Sequence, residues 1–378
     1  MVNKEIIELR KELHKYPELS GSEFETAKRI RNFVEEHHPT KIIEKIGGTG
    51  LAAIYEFPQK GNTITIRCEL DALPIQEDNQ FEHQSLHNGI SHKCGHDGHM
   101  AMVAGLIFWL RDQSFNSGKL ILLFQPSEEN GKGAERVIKD KKFKELNTDY
   151  IFALHNIPQA PFNSVITMNK GFSAEVQSFI ITLNGKESHA AEPENGINPS
   201  LAIAKFINAV SKLNNNNPLD DHFSVLTCVH INMGQKSYGI SPSNGELHYT
   251  IRTWGTKELN LLKSRILTIL KDTCISHNLE YKIEWLEYFP ASRNNSECNQ
   301  QVIKAAQKNK FKIIERPYPF KFGEDFGWFT THYKTAMFGL GAGMNTPALH
   351  NSNYDFPDEL IETGIDMFKE IITNVLSQ

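Results

Sequence analysis

The sequence predicts an α/β protein with a mainly parallel sheet, into which a smaller ferredoxin-like domain is inserted. Short apolar runs alternate with helical stretches through the first part of the chain, a pattern typical of βα repeats. A middle segment instead follows the order βαββαβ, and the first pattern resumes after Pro290. We therefore predict one α/β domain in two parts, residues 1–171 and 288–378, and an inserted domain over 172–287.

Two helices precede the first predicted strand. Asn3 is a candidate cap for the first, which has apolar residues at helical spacing, and Ser22 with Glu25 forms a capping-box pattern ahead of the second. The elements predicted next are strands over 51–55, 63–68, 120–124 and 150–154 and helices over 99–110 and 134–138.

The remaining elements complete both domains. The insert is predicted to contain strands over 176–183, 225–231, 246–253 and 281–285 and helices over 200–213 and 257–275. After the insert, the pattern predicts helices over 301–308 and 358–375 and a strand over 335–340. The α/β domain is thus completed by the last part of the chain.

Composition narrows the possible partners. A formal net charge of −5 and a pI of about 6.4 argue against a nucleic-acid surface or an anionic membrane as partner, so we expect a small molecule or peptide. Apolar runs fall short of the roughly 18 residues that a membrane span requires, and the first residues lack an apolar signal core. The five cysteines are odd in number and scattered, which is typical of a reducing compartment. We expect a cytoplasmic protein.

Residues 91–99 (SHKCGHDGH) are dense in potential metal ligands. They include three histidines, one cysteine and one aspartate, which offer soft, borderline and hard donors. A free cysteine is often a buried apolar residue instead, and a lone histidine is often structural. Because zinc takes about four ligands, further donors must come from elsewhere in the chain.

The predicted strand ends provide such donors. In an open α/β sheet, ligands bind at the carboxyl ends of the strands. Strand 63–68 leads to Glu69 and Asp71, which share a face by the two-residue period. The other strand ends lead to Glu128 and Glu129, to His155, and through a glycine-rich loop to His350. Together with Cys94, these residues are sufficient for two metal ions.

The adjacent residues Glu128 and Glu129 can serve two different roles. Burial of unpaired acids at a strand end is costly, so one of the two should face a cation. Their side chains diverge, and the second is then available to handle a proton. The GxSxG, HExxH and GxxxxGK[ST] patterns are missing, which argues against a serine hydrolase and a nucleotide enzyme.

Six motifs in order give the chain a specific resemblance. They are HKYPELS at 14–20, LDALP at 70–74, CGHDGH at 94–99, QPSEE at 125–129, HAAEP at 189–193 and GEDF at 323–326. This set resembles the M20 family of metallopeptidases and aminoacylases, in particular the amidohydrolase branch with hippurate hydrolases, N-acetyl-diaminopimelate deacetylases and auxin-conjugate hydrolases. The resemblance extends over nearly the whole chain.

The resemblance implies a two-metal site. In it, Cys94 takes the place of a bridging aspartate, and the other ligands are His96, Glu129, His155 and His350. It also implies that Glu128 is the general base and that Asp71 orients a metal-bound histidine or water. Two divalent ions, which could be zinc, manganese, cobalt or nickel, can activate water and polarise an amide carbonyl. Glu128 would accept the proton of the water and return it to the leaving amine.

For the insert, the resemblance implies a lid and dimerisation domain. His189, in a Gly-x-x-x-His pattern, would stabilise the oxyanion. In the family, the histidine of this pattern often comes from a partner subunit. The alternative is that His189 is a turn residue after a strand. We suggest Arg252 as partner for a substrate carboxylate, with a surface salt bridge as the equal alternative. Two departures from the family pattern are Glu69, where many relatives have Asp, and GISP at 239–242, where the usual pattern is Asn-x-Ile-Pro.

The predicted function is that of an amidohydrolase that acts on N-acyl amino acids or related small conjugates. A homodimer formed through the inserted domain is a possible assembly. The alternatives are a dipeptidase or carboxypeptidase on the same scaffold, and a non-catalytic metal-binding regulatory protein. We expect His92 and His99 to lie outside the ligand set. Direct roles for Glu69, Asp97, His99 and Glu324 are left open, as is the identity of the metal.

Overall fold

The computed structural model describes residues 4–169 and 171–377, which form two compact units. The larger unit comprises Met1–Phe172, Ser292–Pro317 and Glu324–Gln378. The smaller unit comprises Ser173–Ala291 and Tyr318–Gly323. Asn3, the predicted first cap, lies outside the described residues.

Helices and strands are numbered along the chain. The helices are α1 Lys4–Lys15, α2 Phe24–Glu35, α3 His96–Leu110, α4 Gly133–Lys139, α5 Lys141–Lys144, α6 Ser200–Ser211, α7 Thr256–Ser276, α8 Ser296–Lys308, α9 Gly327–Thr330 and α10 Leu360–Leu376. The strands are β1 Lys41–Ile46, β2 Gly50–Glu56, β3 Gln59–Glu69, β4 Ser117–Gln125, β5 Tyr150–Ile157, β6 Val165–Thr167, β7 Glu175–Asn184, β8 Ser188–His189, β9 Ser224–Met233, β10 Ile240–Ser241, β11 Asn244–Thr253, β12 Glu280–Phe289, β13 Ile313–Glu315 and β14 Lys334–Gly341. Among these helices, none is both long and apolar enough to cross a membrane.

The large sheet has the order β1-β2-β4-β3-β5-β14-β6-β13. Its four central strands, β4, β3, β5 and β14, are parallel to one another, whereas β1, β2 and β6 each have antiparallel neighbours. The predicted α/β class with a mainly parallel sheet is therefore confirmed. Because the central strands run in the same direction, their carboxyl ends lie along one edge of the sheet.

The helices cover the sheet with apolar faces. In α1, the buried residues Ile6, Leu9 and Leu13 recur at helical spacing. Helix α3 is buried on nearly every side; only Phe108 and Trp109 are partly exposed. A helix that is apolar all round belongs inside the core, and α3 packs against α1, α10 and β3.

The predicted capping box of α2 was wrong. The helix begins at Phe24, and the residue before it, Glu23, makes no side-chain cap. The Glu23 carboxylate instead accepts hydrogen bonds from the backbone N–H of Ser127, at 2.9 Å, and from the Thr49 hydroxyl, at 2.6 Å. The Glu23 side chain therefore joins the start of α2 to Ser127 and Thr49, partners that no local sequence pattern reports.

The smaller unit has the predicted βαββαβ order. Its main sheet is antiparallel throughout, with the order β12-β7-β11-β9. Helices α6 and α7 contribute Phe206 and Ile266 to a core shared with Phe179 and Tyr249 of the sheet. The predicted ferredoxin-like unit is thus confirmed. A separate two-stranded ribbon pairs β8 with β10.

Candidate metal centre

The structure brings the five predicted ligands together at the carboxyl edge of the large sheet. Cys94 lies in the loop before α3, and His96 is the first residue of that helix. Glu129 follows β4, His155 lies near the end of β5, and His350 lies in the segment after β14. The ligands thus come from four separate segments.

These side chains form two triads with a common member. The ligand atoms of Cys94, His96 and His155 lie within 4.8 Å of one another, and so do those of Cys94, Glu129 and His350. The Cys94 Sγ is 3.5 Å from His155 Nε2, and Glu129 Oε2 is 4.0 Å from His350 Nε2. One thiolate could therefore contact two cations.

Backbone carbonyls orient two of the imidazoles. His96 Nδ1 donates to the Asp71 carbonyl oxygen at 2.8 Å, and His155 Nδ1 donates to the Asn156 carbonyl oxygen at 2.9 Å. A carbonyl can only accept, so the proton of each neutral ring is on Nδ1. The Nε2 lone pair of each ring is then on the side of the triad, as a metal ligand requires.

The surroundings carry an excess of negative charge. Six carboxylates lie at or near the site, namely those of Glu69, Asp71, Glu128, Glu129, Glu324 and Asp325. The buried Arg67 guanidinium contacts Glu69, Glu324 and Asp325. Burial and the neighbouring carboxylates raise the pKa of Glu128 well above its usual range and that of Glu129 to about 7. Such a cluster favours bound cations.

Two orphaned atoms show that a metal fits this donor set. His96 Nε2 and Glu129 Oε1 are buried and have no hydrogen-bond partner within residues 4–169 and 171–377. They lie 3.8 Å apart, and both belong to predicted ligands. Buried polar atoms are rarely left unpaired, and cations held by the two triads would satisfy both atoms. The residues present therefore suit a divalent metal.

Asp71 fixes the turn that carries the two glutamates. Its carboxylate accepts hydrogen bonds from the Ser20 hydroxyl, at 2.6 Å, and from the backbone N–H groups of Glu128 and Glu129, at 3.1 and 3.0 Å. Ser127, just before them, has a φ of +58°, which few residues other than glycine adopt. Asp71 was predicted to orient a metal-bound histidine or water. It contacts the ligand His96 through its backbone carbonyl oxygen, whereas its carboxylate holds the turn.

Glu128 is anchored at one oxygen. Its Oε1 accepts a hydrogen bond from the backbone N–H of Asp325 at 3.2 Å, whereas its Oε2 lies 3.9 Å from His96 Nε2. One carboxylate oxygen is thus held by the protein, and the other faces the ligand cluster. This arrangement suits a proton acceptor beside the metal site.

His99 and Glu69, to which the sequence assigned no direct role, lie behind the ligands. His99 is held between Glu69, at 2.7 Å, and the side chain of Asn156, at 2.6 Å. Its ring centroid is 4.9 Å from that of His155, which it supports from behind. The sequence reasoning missed Asn156 and also Arg67, although a charged residue inside the apolar strand β3 was a signal for the latter.

Two predicted residues belong to the smaller unit. His189 lies in β8, and its Nδ1 accepts a hydrogen bond from the backbone N–H of Ala191 at 3.0 Å. In the neutral ring, the proton is therefore on Nε2. Arg252, in β11, donates from Nη1 to the Lys321 carbonyl oxygen at 2.7 Å. It forms no salt bridge with a carboxylate of the described part of the chain, so the alternative of a surface salt bridge is not observed.

Comparisons with known proteins identify the family of the chain. Residues 65–374 match the model of peptidase family M20/M25/M40. An N-acetyl-L-cysteine deacetylase of Bacillus subtilis is 33% identical over 88% of this chain and 79% of its own length. An uncharacterised hydrolase of Staphylococcus haemolyticus is 29% identical over 96% of both chains.

Solved structures show the same fold. The Bacillus subtilis YXEP protein, described as a dinuclear metal-binding peptidase of the M20 family, has a TM-score of 0.84 with 26% identity over 99% of this chain and 98% of its own. A putative aminohydrolase from methicillin-resistant Staphylococcus aureus has a TM-score of 0.88 with 23% identity over 98% and 96%. These findings confirm the predicted enzyme class, a metal-dependent amidohydrolase. The chain belongs to peptidase family M20/M25/M40.

Proposed function

We propose that this metal-dependent amidohydrolase cleaves the amide bond of N-acyl amino acids at a site that binds two divalent ions. The ligands proposed are Cys94, His96, Glu129, His155 and His350. The observation that carries the proposal is the pair of triads that share the Cys94 thiol. Zinc, manganese, cobalt and nickel all suit a sulfur, nitrogen and oxygen donor set.

Glu128 is proposed as the general base. The two ions, when bound, would polarise the amide carbonyl and lower the pKa of water. The free Oε2 of Glu128 would take the proton of the attacking water and pass it to the leaving amine. The hydrogen bond from the Asp325 N–H to Oε1 would hold the carboxylate in one orientation for both transfers.

His189 is proposed as the oxyanion donor. Its neutral tautomer, fixed by the Ala191 N–H, has a donor on Nε2, and the ring is exposed. Such a donor can stabilise the developing charge on the carbonyl oxygen. The smaller unit would then act as a lid.

We also propose that two copies associate through the smaller unit. Strand β9 lies at the edge of its sheet and exposes Val229, Ile231 and Met233. An exposed apolar edge strand is a ready template for pairing with another chain. We expect a homodimer, which light scattering of the purified protein would detect.

The substrate class rests on two observations. One is the similarity to the N-acetyl-L-cysteine deacetylase, which favours an N-acyl amino acid. The other is Arg252, which lacks a carboxylate partner in the described residues and has a planar guanidinium suited to a substrate carboxylate. All five cysteines are unpaired, which supports a reducing, cytoplasmic location.

A substrate panel tests this function against its nearest rival. The protein, purified without chelator and assayed for metal content, would be offered acetyl-, benzoyl- and indoleacetyl-amino acids beside dipeptides. We expect two metal ions per chain and hydrolysis of the acylated amino acids. A preference for dipeptides would support the peptidase alternative, and full metal content without any hydrolysis would support a regulatory protein.

A further inference from the structure

A buried ionic network lies beside the candidate metal centre and takes no part in the proposed chemistry. Its central residue is Arg10 of α1, whose side chain is 1% exposed. The guanidinium contacts Asp97 Oδ2 at 3.2 Å, Asp355 Oδ1 at 2.8 Å and Asp358 Oδ1 at 2.8 Å. One cation on the first helix therefore joins three carboxylates that are distant from it in sequence.

These carboxylates belong to two ligand-bearing segments. Asp97 directly follows His96, whereas Asp355 and Asp358 come shortly after His350. Arg10 thus joins the loop that carries Cys94 and His96 to the segment that carries His350.

Lys93 makes the same connection a second time. Its carbonyl oxygen accepts from the backbone N–H of His350 at 2.8 Å, and its Nζ donates to the Tyr354 carbonyl oxygen at 2.7 Å. Lys93 directly precedes Cys94. The loop is therefore attached to the His350 segment on both sides of its ligands.

His14 completes the network. Its Nδ1 lies 2.8 Å from Asp97 Oδ2, and its Nε2 lies 3.0 Å from Glu77 Oε1. The Glu77 carboxylate also accepts a hydrogen bond from Lys93. His14 therefore links the residue after His96 to the residue before Cys94, and all of these groups are buried except the outer two aspartates.

We propose that Arg10, supported by His14, is a positioning residue that holds His350 against the Cys94 loop and so forms the second triad. The first triad does not depend on it, because His96 and His155 are oriented by the carbonyls of Asp71 and Asn156. His350 has no such support from a strand; its side chain is about half exposed, and its φ is +66°. This inference rests on the proposed two-metal site.

Asp355→Ala is the decisive variant. The Asp355 side chain is 30% exposed, so its removal cuts one link of Arg10 to the His350 segment without opening the core. Arg10→Gln should act in the same direction and more strongly. Lys11→Gln is the matched control, because Lys11 neighbours Arg10 on α1 and contacts the same Asp358 at 3.6 Å, but from the surface.

The assay is a titration of the metal-free protein with Mn²⁺ alone, followed by electron paramagnetic resonance. In the wild-type protein, the second Mn²⁺ should give a spin-coupled pair. In Asp355→Ala, we expect the first Mn²⁺ to bind with unchanged affinity and the second about 10-fold more weakly. This is the lower end of the usual loss for a direct outer partner of a ligand, because Asp355 acts on His350 only through Arg10 and its own segment. Lys11→Gln should behave as wild type.

The outcomes separate this inference from the proposed function. A wild-type protein that never forms a coupled Mn²⁺ pair contradicts the two-metal site itself. A coupled pair of normal affinity in Asp355→Ala overturns the positioning role, and so does an equal loss at both sites. Melting curves of metal-free Asp355→Ala and Lys11→Gln, which should coincide with that of the wild-type protein within a few degrees, show that the fold is retained; Arg10→Gln, which removes a buried cation, should melt lower.

Discussion

The buried His14 allows a quantitative prediction of how stability depends on pH. Burial lowers the pKa of this imidazole, but the Asp97 and Glu77 carboxylates together outweigh burial, and the pKa rises from 6.5 to about 9. The group therefore contributes stability that is fully present below pH 6.5 and is lost as the pH rises through about 9. A difference of about 2.5 units at 1.36 kcal/mol each amounts to about 3 kcal/mol.

The perturbation is His14→Gln, compared with the wild-type protein in the presence of chelator so that metal binding does not vary with pH. At pH 6, the variant should melt at a lower temperature by roughly 6–12 °C, since about 3 kcal/mol corresponds to this shift in a domain of such size. By pH 10, the wild-type protein has lost the charge, and the two melting temperatures should converge.

The assay is thermal unfolding followed by circular dichroism from pH 6 to pH 10. Other groups that titrate in this range, such as Asp325 with its pKa of about 8, are present in both proteins and cancel in the difference. A gap between the two melting temperatures that stays constant across this range would refute the reasoning, because it would show that His14 is not charged in the folded protein.

Three further predictions concern the site itself. Glu128→Gln keeps the acceptor for the Asp325 N–H, so metal content should be retained while kcat falls about 10²- to 10⁴-fold. Glu135→Gln, at a partly exposed glutamate paired with Lys139, should change neither. His189→Ala should lower kcat about 10²- to 10³-fold without loss of metal, and normal turnover would exclude it as oxyanion donor. Asp71→Asn places an amide N–H₂ against a backbone N–H of the Glu128–Glu129 turn, so the variant should lose metal affinity in a chelator competition and melt at a lower temperature than wild type.

Much of the fold could be predicted because the central elements carry strong periodic signals. Strands β3, β4, β5 and β14 are buried apolar runs, and the four main-sheet strands and two long helices of the inserted unit were predicted in order, whereas the two-residue strands β8 and β10 were not. Strands β6 and β13 are only three residues long, and β1 is largely exposed, so neither length nor apolar pattern revealed them.

The part of the candidate site that could be predicted is the set of residues whose type suits a metal ligand or a base, in the Cys94 loop and at the strand ends. Cys94 and the two glutamates could be recognised because few other roles suit them there. Asn156 and Arg10 could not be assigned, because each acts through partners that only the folded chain brings near. Arg10 joins residues that lie 87 and 345 positions away, a relation that no local pattern encodes.

The bonds from His96 and His155 to backbone carbonyls have a consequence for how this centre can change over evolution. Both ring orientations are set by the main chain at positions 71 and 156, which every amino acid possesses. The side chains at these two positions can therefore serve other roles. The Asp71 carboxylate holds the turn that carries Glu128 and Glu129, and the Asn156 amide contacts His99. A substitution at either position would alter the base or the packing behind the ligands while both imidazoles kept the same nitrogen turned to the metal.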